Sequence, residues 1–351
     1  MRLTEILLIE HELNGVSHRG FIRAVIADLI RQGVTCSTMF PKELFNVIND
    51  CHSDFRSVKN YPLELKIIPK FKRTSRFLNV LNVLIKIKSS DFTRVFFLNG
   101  DLLLLPLCIL LVFGFGRKAE IYLTVHRIEP LENRVSGRVR SLLLKWLGKR
   151  KCIKLVALAQ SVYFELSNRD LPAVLYQHPC RRLRVNKSKG ILIYKRPQFV
   201  LELKLLTVIT NFANKLSLPL AANVSAIKGV EVDVEYLGVY PDNECYDRFV
   251  CESKIVLLLD DSGGRYASGV AMEVISSGAV LIAPRSSFFV EISGLFDSVF
   301  LYDASANCMG LNKCFSENLG KIMELLGDDS GTLYDRLDSL NSKFFACLLE
   351  C

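Results

Sequence analysis

Apolar runs of strand length alternate with stretches of helical periodicity along the whole chain. "EILLIEHE" (5–12) is followed by "RGFIRAVIADLIRQG" (19–33), where Phe21, Ile22, Val25, Ile26, Leu29 and Ile30 fall on one helical stripe. "LELKIIPK" (63–70) alternates like a strand. "TRVFFLNGD" (93–101) and "AEIYLTVHRIEP" (119–130) read as strands running into polar ends, and "KCIKLVALAQ" (151–160) as a strand with "SVYFELSN" as its helix. The polar, patternless segment "RRLRVNKSKG" (181–190) reads as a linker. A second series then begins: "ILIY" (191–194), a helix over about 202–215, "LPLAANV" (218–224), "VDVEYLG" (232–238), a helix over about 242–251, and "KIVLLLDD" (254–261). The tail from about 315 is helical, with Leu319, Ile322, Met323 and Leu326 on one stripe. Such alternation predicts parallel sheets with helices on both faces. The expected fold class is α/β, with two doubly wound parallel-sheet domains, 1–185 and 186–351, and a cleft between them for ligands.

Within the second series, "GGRYASGVAMEVISSGAVLIAP" (263–284) orders a loop, a helix, a tight turn and a buried strand. Ser268 and Gly269 stand where the helix begins, and Gly278 where it ends in a left-handed cap. A helix entered through Ser-Gly turns unpaired N–H groups and its positive dipole end toward whatever lies in front, which suits an anion. On the residues alone, the stretch is equally one more α/β unit.

Charge sharpens the division between the halves. The net charge of the 351 residues is +9, yet residues 1–190 hold 32 Lys and Arg against 15 Asp and Glu, a balance of +17. Residues 191–351 hold 13 against 21, a balance of −8. Basic residues cluster in "KIIPKFKRTSRFLNVLNVLIKIK" (66–88) and "RVSGRVRSLLLKWLGKRKCIK" (134–154), interleaved with Leu, Val, Ile, Phe and Trp146. That interleaving suits a basic amphipathic helix on anionic lipid. A solvated basic face is the plainer account of either cluster alone. Nucleic acid is the competing partner, but no zinc-finger spacing, aromatic RNA-binding set or helix-turn-helix supports it.

The most apolar run, "LLLLPLCILLVF" (102–113), contains Pro106 and falls short of the roughly 20 residues that a spanning helix needs. It reads as a buried helix, with an in-plane membrane contact as the lesser alternative. Glu5 and Glu10 inside "MRLTEILLIEHE" make the start a strand and not a signal peptide. Eleven cysteines without a CxxC pair read as thiols in a reducing compartment, hence cytoplasmic. The G-x-G-x-x-G and G-x-S-x-G signatures are absent, and no His, Cys and Asp cluster has metal-ligand spacing.

Three patches resemble the retaining glycosyltransferases of the two-Rossmann, or GT-B, fold, family four (glycosyl transferases group 1). "NGVSHRGFIRAVIADLIRQGV" (14–34) is similar to that family's Gly-rich first turn and helix, and "YLTVHRIEP" (122–130) to the strand that delivers a His into the cleft. The third runs from "LGVYPDNECYDRFVCESKIVLLLDD" (237–261) through "SGVAMEVISSGAVLIAP" (268–284); "LYQHPC" (175–180) looks like the family's strand-to-linker segment. The resemblance implies transfer of a sugar from a nucleotide-sugar to a glycan or lipid-linked acceptor with retention, in cell-surface polysaccharide synthesis. It implies no cofactor and no bound metal. With the charge pattern, it places the protein peripherally on the inner face of the cell membrane.

By the same resemblance, Glu273 matches the second Glu of the family's Glu, seven residues, Glu motif and would bind ribose. Ser268, Gly269 and Val270 would face phosphate or sugar, and His126 the donor sugar. Gly15 would admit the phosphate, with Asn14, His18 and Arg19 on the acceptor side of that turn. From the residues alone, His126 fits a satisfied core histidine as well, whereas Glu273 in an apolar helix demands a partner. Two positions depart from the family. Arg265 stands where the motif's first Glu is expected, and the usual diphosphate-binding Lys position is apolar near Leu201, leaving Lys195 and Arg196. The expectation is that Arg265 takes over part of the diphosphate neutralisation, since a guanidinium fork suits phosphate. The alternative is a non-catalytic GT-B relative that binds membrane or a partner. An epimerase of the same architecture would need a fuller acid/base set.

Overall fold

The computed structural model describes residues 5–10, 19–49, 57–64, 72–88, 91–100, 119–126, 135–179, 186–194, 201–223, 234–236, 249–259, 268–327, 341–342, 344–346 and 348. The chain divides into two compact units, Met1–Pro179 with Ser339–Cys351, and Cys180–Asp338.

In the first unit the elements run β1 (Glu5–Ile9), α1 (Arg19–Arg31), β2 (Thr35–Met39), α2 (Lys42–Asn49), β3 (Lys59–Asn60), α3 (Lys72–Lys88) and β4 (Arg94–Phe97). They continue with β5 (Glu120–Val125), α4 (Val135–Gly148), β6 (Ile153–Ala157), α5 (Gln160–Ser167) and β7 (Ala173–Leu175). The sheet order is β3-β2-β1-β4-β5-β6-β7, and its pairings are parallel. Strand order reverses between β1 and β4, so the crevice beyond their carboxyl ends is the natural ligand position. Strands buried on both faces explain runs such as Ile6–Ile9 and Val95–Leu98, in which every side chain is inaccessible.

β2 was not readable as a strand because it places Ser37 and Thr38 in the interior. Neighbouring strands satisfy both hydroxyls. Ser37 Oγ donates to Glu5 Oε1 at 2.5 Å, and Thr38 Oγ1 lies 2.9 Å from Asn60 Oδ1.

The second unit comprises β8 (Lys189–Tyr194), α6 (Leu203–Leu216), β9 (Leu220–Ala222), β10 (Val234–Tyr236), β11 (Ser253–Leu258), α7 (Gly269–Ser276) and β12 (Val280–Pro284). It ends with α8 (Ser287–Ser293), β13 (Val299–Tyr302) and α9 (Asn307–Gly327). The order β10-β9-β8-β11-β12-β13, again parallel, repeats the doubly wound plan with its reversal between β8 and β11. Phe212 of α6 and Phe315 of α9 stack at 3.8 Å over the core of Ile193, Leu257 and Ile282.

The chain's end differs from the expected division at 185. Residues Ser339–Cys351 belong to the first unit, not the second. The cause is aromatic packing: Phe344 stacks on Tyr176 at 4.2 Å and meets Phe96 and Tyr122 at 5.7 and 6.1 Å. The expected buried helix at 102–113, most of the strand at 63–70 and residues 242–248 of the expected helix lie outside the described residues.

Candidate functional site

Side-chain alternation puts a row of residues on one face at the carboxyl edge of the first sheet. The registers Leu8↔Phe96, Phe96↔Tyr122, Tyr122↔Lys154 and Val156↔Val174 align the even-numbered positions. Glu10, His126 and His178 continue that row past the strand ends. α1 covers this face: Tyr176 Oη donates to Asp28 Oδ2 at 2.9 Å, and the Phe21 ring lies 4.9 Å from His178 and 5.9 Å from His126. Phe21, at the start of α1, therefore stands between two imidazoles.

His126 is half-buried, and its Nε2 lies 2.9 Å from the carbonyl oxygen of Leu98. A carbonyl only accepts, so Nε2 carries the proton. Leu98 is fixed in turn, its N–H donating to Ile9 at 3.0 Å. Gly100, just beyond, passes so close to β5 that a Cβ would stand 2.3 Å from the Thr124 carbonyl. Only glycine permits that approach. His178 is almost wholly buried and donates from Nδ1 to the Pro179 carbonyl at 3.0 Å. Burial, with the Asp28 carboxylate alongside, pushes the Tyr176 hydroxyl well above its ordinary range, so it remains a donor.

In the second unit, α7 begins where the sequence places it. Ser268 is the N-cap, its Oγ accepting from the Ala271 N–H at 3.3 Å, and the first turn holds no acidic residue. Gly269 is exposed, and among the described residues nothing lies where a Cβ would stand. Ala271, Met272, Val274 and Ile275 are buried, which leaves Glu273 half-buried one turn along from Gly269 on the outward side. The helix ends at Gly278, φ 74°, with the Gly278 N–H bonded to Ile275 and the Ala279 N–H to Val274. This is the left-handed cap expected there.

Lys187, inside the segment read as a linker, holds the far end of this unit together. Its Nζ donates to the carbonyls of Cys251 and Ser253 at 2.7 and 3.1 Å and to Ser277 Oγ at 2.8 Å. Burial lowers its amine to about 8. No sequence signal marked this residue.

Of the expected site residues, His126, Ser268, Gly269, Val270 and Glu273 are described, each at the carboxyl edge of its own sheet. Arg19 opens α1. Asn14, Gly15, His18, Arg196 and Arg265 lie outside the described residues. Sequence reasoning missed Glu10 and His178; a lone charge ending an apolar strand and the His in "LYQHPC" were the available signals. Among the described residues no group of three or more His, Cys, Asp or Glu could hold a metal ion. Burial raises the thiols of Cys36 and Cys314 to about 12 and 11, so neither is a poised nucleophile.

The fold has solved counterparts along the whole chain. The fold is that of the GT-B glycosyltransferases. Sucrose-phosphate synthase from Thermosynechococcus elongatus is similar with a TM-score of 0.58 at 12% identity, over 99% of both chains. A glycosyltransferase from Rickettsia africae gives 0.56 at 16% over 100% of both. UDP-GlcNAc 2-epimerase from Neisseria meningitidis, solved with UDP-GlcNAc bound, gives 0.58 at 14% over 99% of both. No family model matches the chain, and no curated protein matches it in sequence.

Proposed function

We propose that this protein is a retaining glycosyltransferase that moves a sugar from a nucleotide-sugar to a hydroxyl of a glycan or lipid-linked acceptor in cell-surface polysaccharide synthesis. The observation that carries this reading is α7. It is a Ser-capped helix, free of acid in its first turn and bare at Gly269, at the carboxyl edge of a doubly wound sheet, with Glu273 one turn behind. Its N-terminus offers N–H groups to the departing diphosphate, where negative charge grows in the transition state. Arg265 and Arg196 add positive charge to the same group, Glu273 accepts from the ribose hydroxyls, and His126 contacts the donor sugar.

The bond from the anomeric carbon to the phosphate oxygen breaks, and the acceptor oxygen bonds to that carbon on the same face. The acceptor proton passes to the leaving phosphate. The protein works in the cytoplasm against the inner membrane surface, and needs neither metal nor cofactor.

A panel of nucleotide-sugars tests the reading by thermal shift and nucleotide release, with NMR of the product anomer as the readout of retention. Binding to none of the panel overturns it; an inverted product overturns the stereochemical part. The similarity to the epimerase supports a second reading, nucleotide-sugar isomerisation. That reaction would convert the donor with no acceptor present and release no new glycoside.

A further inference from the structure

Exposed apolar side chains of the first unit collect on one of its two helical layers. In the sheet order, the steps β3→β4, β5→β6 and β6→β7 run the same way, opposite to β1→β2→β3. Right-handed crossovers therefore put α3, α4 and α5 on one layer and α1 and α2 on the other. Among the described residues, Leu78 and Ile85 of α3, Val139 and Leu142 of α4 and Phe164 of α5 are exposed large hydrophobics. Among the described residues the opposite layer contributes Ile30. Such a one-sided concentration marks a surface that meets something apolar.

α4 is the best-defined part of that layer. Leu144 and Leu147 are buried and seat it on the sheet. Val139, Leu142, Leu143 and Trp146, at i, i+3, i+4 and i+7, form the outer stripe, and Leu142 is 66% exposed. Lys145, Lys149 and Arg150 are exposed around it, and the Arg150 guanidinium lies 4.2 Å from the centre of the Trp146 ring. Residues 72–88 and 135–151 hold eleven Lys and Arg and no Asp or Glu. A phosphate backbone offers nothing to an exposed leucine stripe. An acyl boundary beneath anionic headgroups accepts both the stripe and its cationic rim.

We infer that the α3–α4 layer is the membrane-docking surface, with α4 lying in the plane of an anionic bilayer, its Val139–Leu142–Leu143–Trp146 stripe in the acyl boundary and Lys145, Lys149 and Arg150 at the phosphates. This deepens the peripheral-membrane part of the proposed function and rests on it. Trp146 is the chain's one tryptophan, so its fluorescence reports the stripe directly. The full chain is mixed with vesicles of phosphatidylcholine, with and without phosphatidylglycerol, and with brominated lipid as a quencher.

The expected result is flotation with anionic vesicles that weakens with salt, together with a blue shift and quenching of Trp146. The double substitution V139E/L142E should lower vesicle affinity about tenfold or more, with far-UV circular dichroism and Tm unchanged. Flotation of the wild type with Trp146 unshifted, or equal flotation of the double variant, overturns the assignment to α4 while leaving membrane association standing. Equal binding to neutral vesicles overturns the role of charge. No flotation at all overturns both the docking surface and the peripheral reading.

Discussion

His126 Nε2 donates to the Leu98 carbonyl across 2.9 Å, tying the end of β5 to the turn that leaves β4. The contact sets the tautomer as well as the position of the ring. In the proposed function, where His126 contacts the donor sugar, His126→Ala should lower kcat/KM for sugar transfer by about a hundredfold or more. His126→Gln supplies a replacement donor for Leu98 and should restore Tm without restoring transfer. Full activity in either variant would remove His126 from the site.

Space in front of α7 yields a prediction of opposite signs. Among the described residues, nothing lies within 4 Å of where a Gly269 Cβ would stand. Gly269→Ala should therefore leave stability unchanged or raise it by about 0.5–1 kcal/mol, since alanine is the better helix former. Donor affinity, followed by calorimetric titration with a nucleotide-sugar, should fall about tenfold as the methyl meets the phosphate. Ser268→Ala should cost about 1 kcal/mol of stability through loss of the cap. Undiminished donor affinity in Gly269→Ala would move the diphosphate away from α7.

The two arginines divide the charge on the leaving group in the proposed function. Arg265→Ala and Arg196→Ala should each weaken nucleotide-sugar binding by about tenfold, the worth of one charge-assisted phosphate contact. If Arg265→Ala binds donor like the wild type while Arg196→Ala abolishes binding, Arg265 is a loop charge with no share in neutralisation.

Lys187 predicts a pH dependence in the alkaline range. Its amine releases its proton near pH 8 in the folded protein and near 10.5 when unfolded. Between those values the unfolded chain binds more protons, so this group makes stability rise with pH. Below pH 8 both states carry the charge, and the fold bears the cost of burying it. Urea midpoints at pH 7.5, 9 and 10 should show this rise superimposed on other titrations, and Lys187→Met should remove it. An unaltered slope in Lys187→Met would assign the rise to other groups.

Phe344 should be expensive to lose. It is fully buried against Tyr176, Phe96 and Tyr122, and Phe344→Ala should cost about 3–5 kcal/mol by opening a cavity. The loss should appear as faster hydrogen exchange in β4, β5 and β7, with β8, β11 and β12 of the second unit unchanged. Faster exchange in both units would contradict the assignment of this residue to the first.

What could be read in the sequence followed from burial. Parallel strands covered on both faces show as continuous apolar runs, which is why β1, β8, β11 and β12 were visible, and the cap glycine Gly278 announced the end of α7. β2 was hidden because Ser37 and Thr38 are interior hydroxyls satisfied by distant partners, Glu5 and Asn60. Glu273 stood out as a carboxylate in an apolar helix and Ser268 as the start of that helix, whereas His126 was singled out by the family resemblance. His178 and Lys187 did not stand out. Each gains its meaning from residues remote in sequence: Phe21 for the first, and Cys251, Ser253 and Ser277 for the second.

The return of residues Ser339–Cys351 to the first unit has a bearing on biosynthesis. A ribosome delivers Phe96, Tyr122 and Tyr176 long before it delivers Phe344. The nascent amino-terminal sheet, its seven strands already in hand, must therefore wait with Phe96, Tyr122 and Tyr176 lacking the Phe344 ring while the whole of the second unit is translated. Products that lack Phe344 would hold the strands of both sheets but leave this aromatic cluster incomplete, which makes them natural clients for chaperones and proteases.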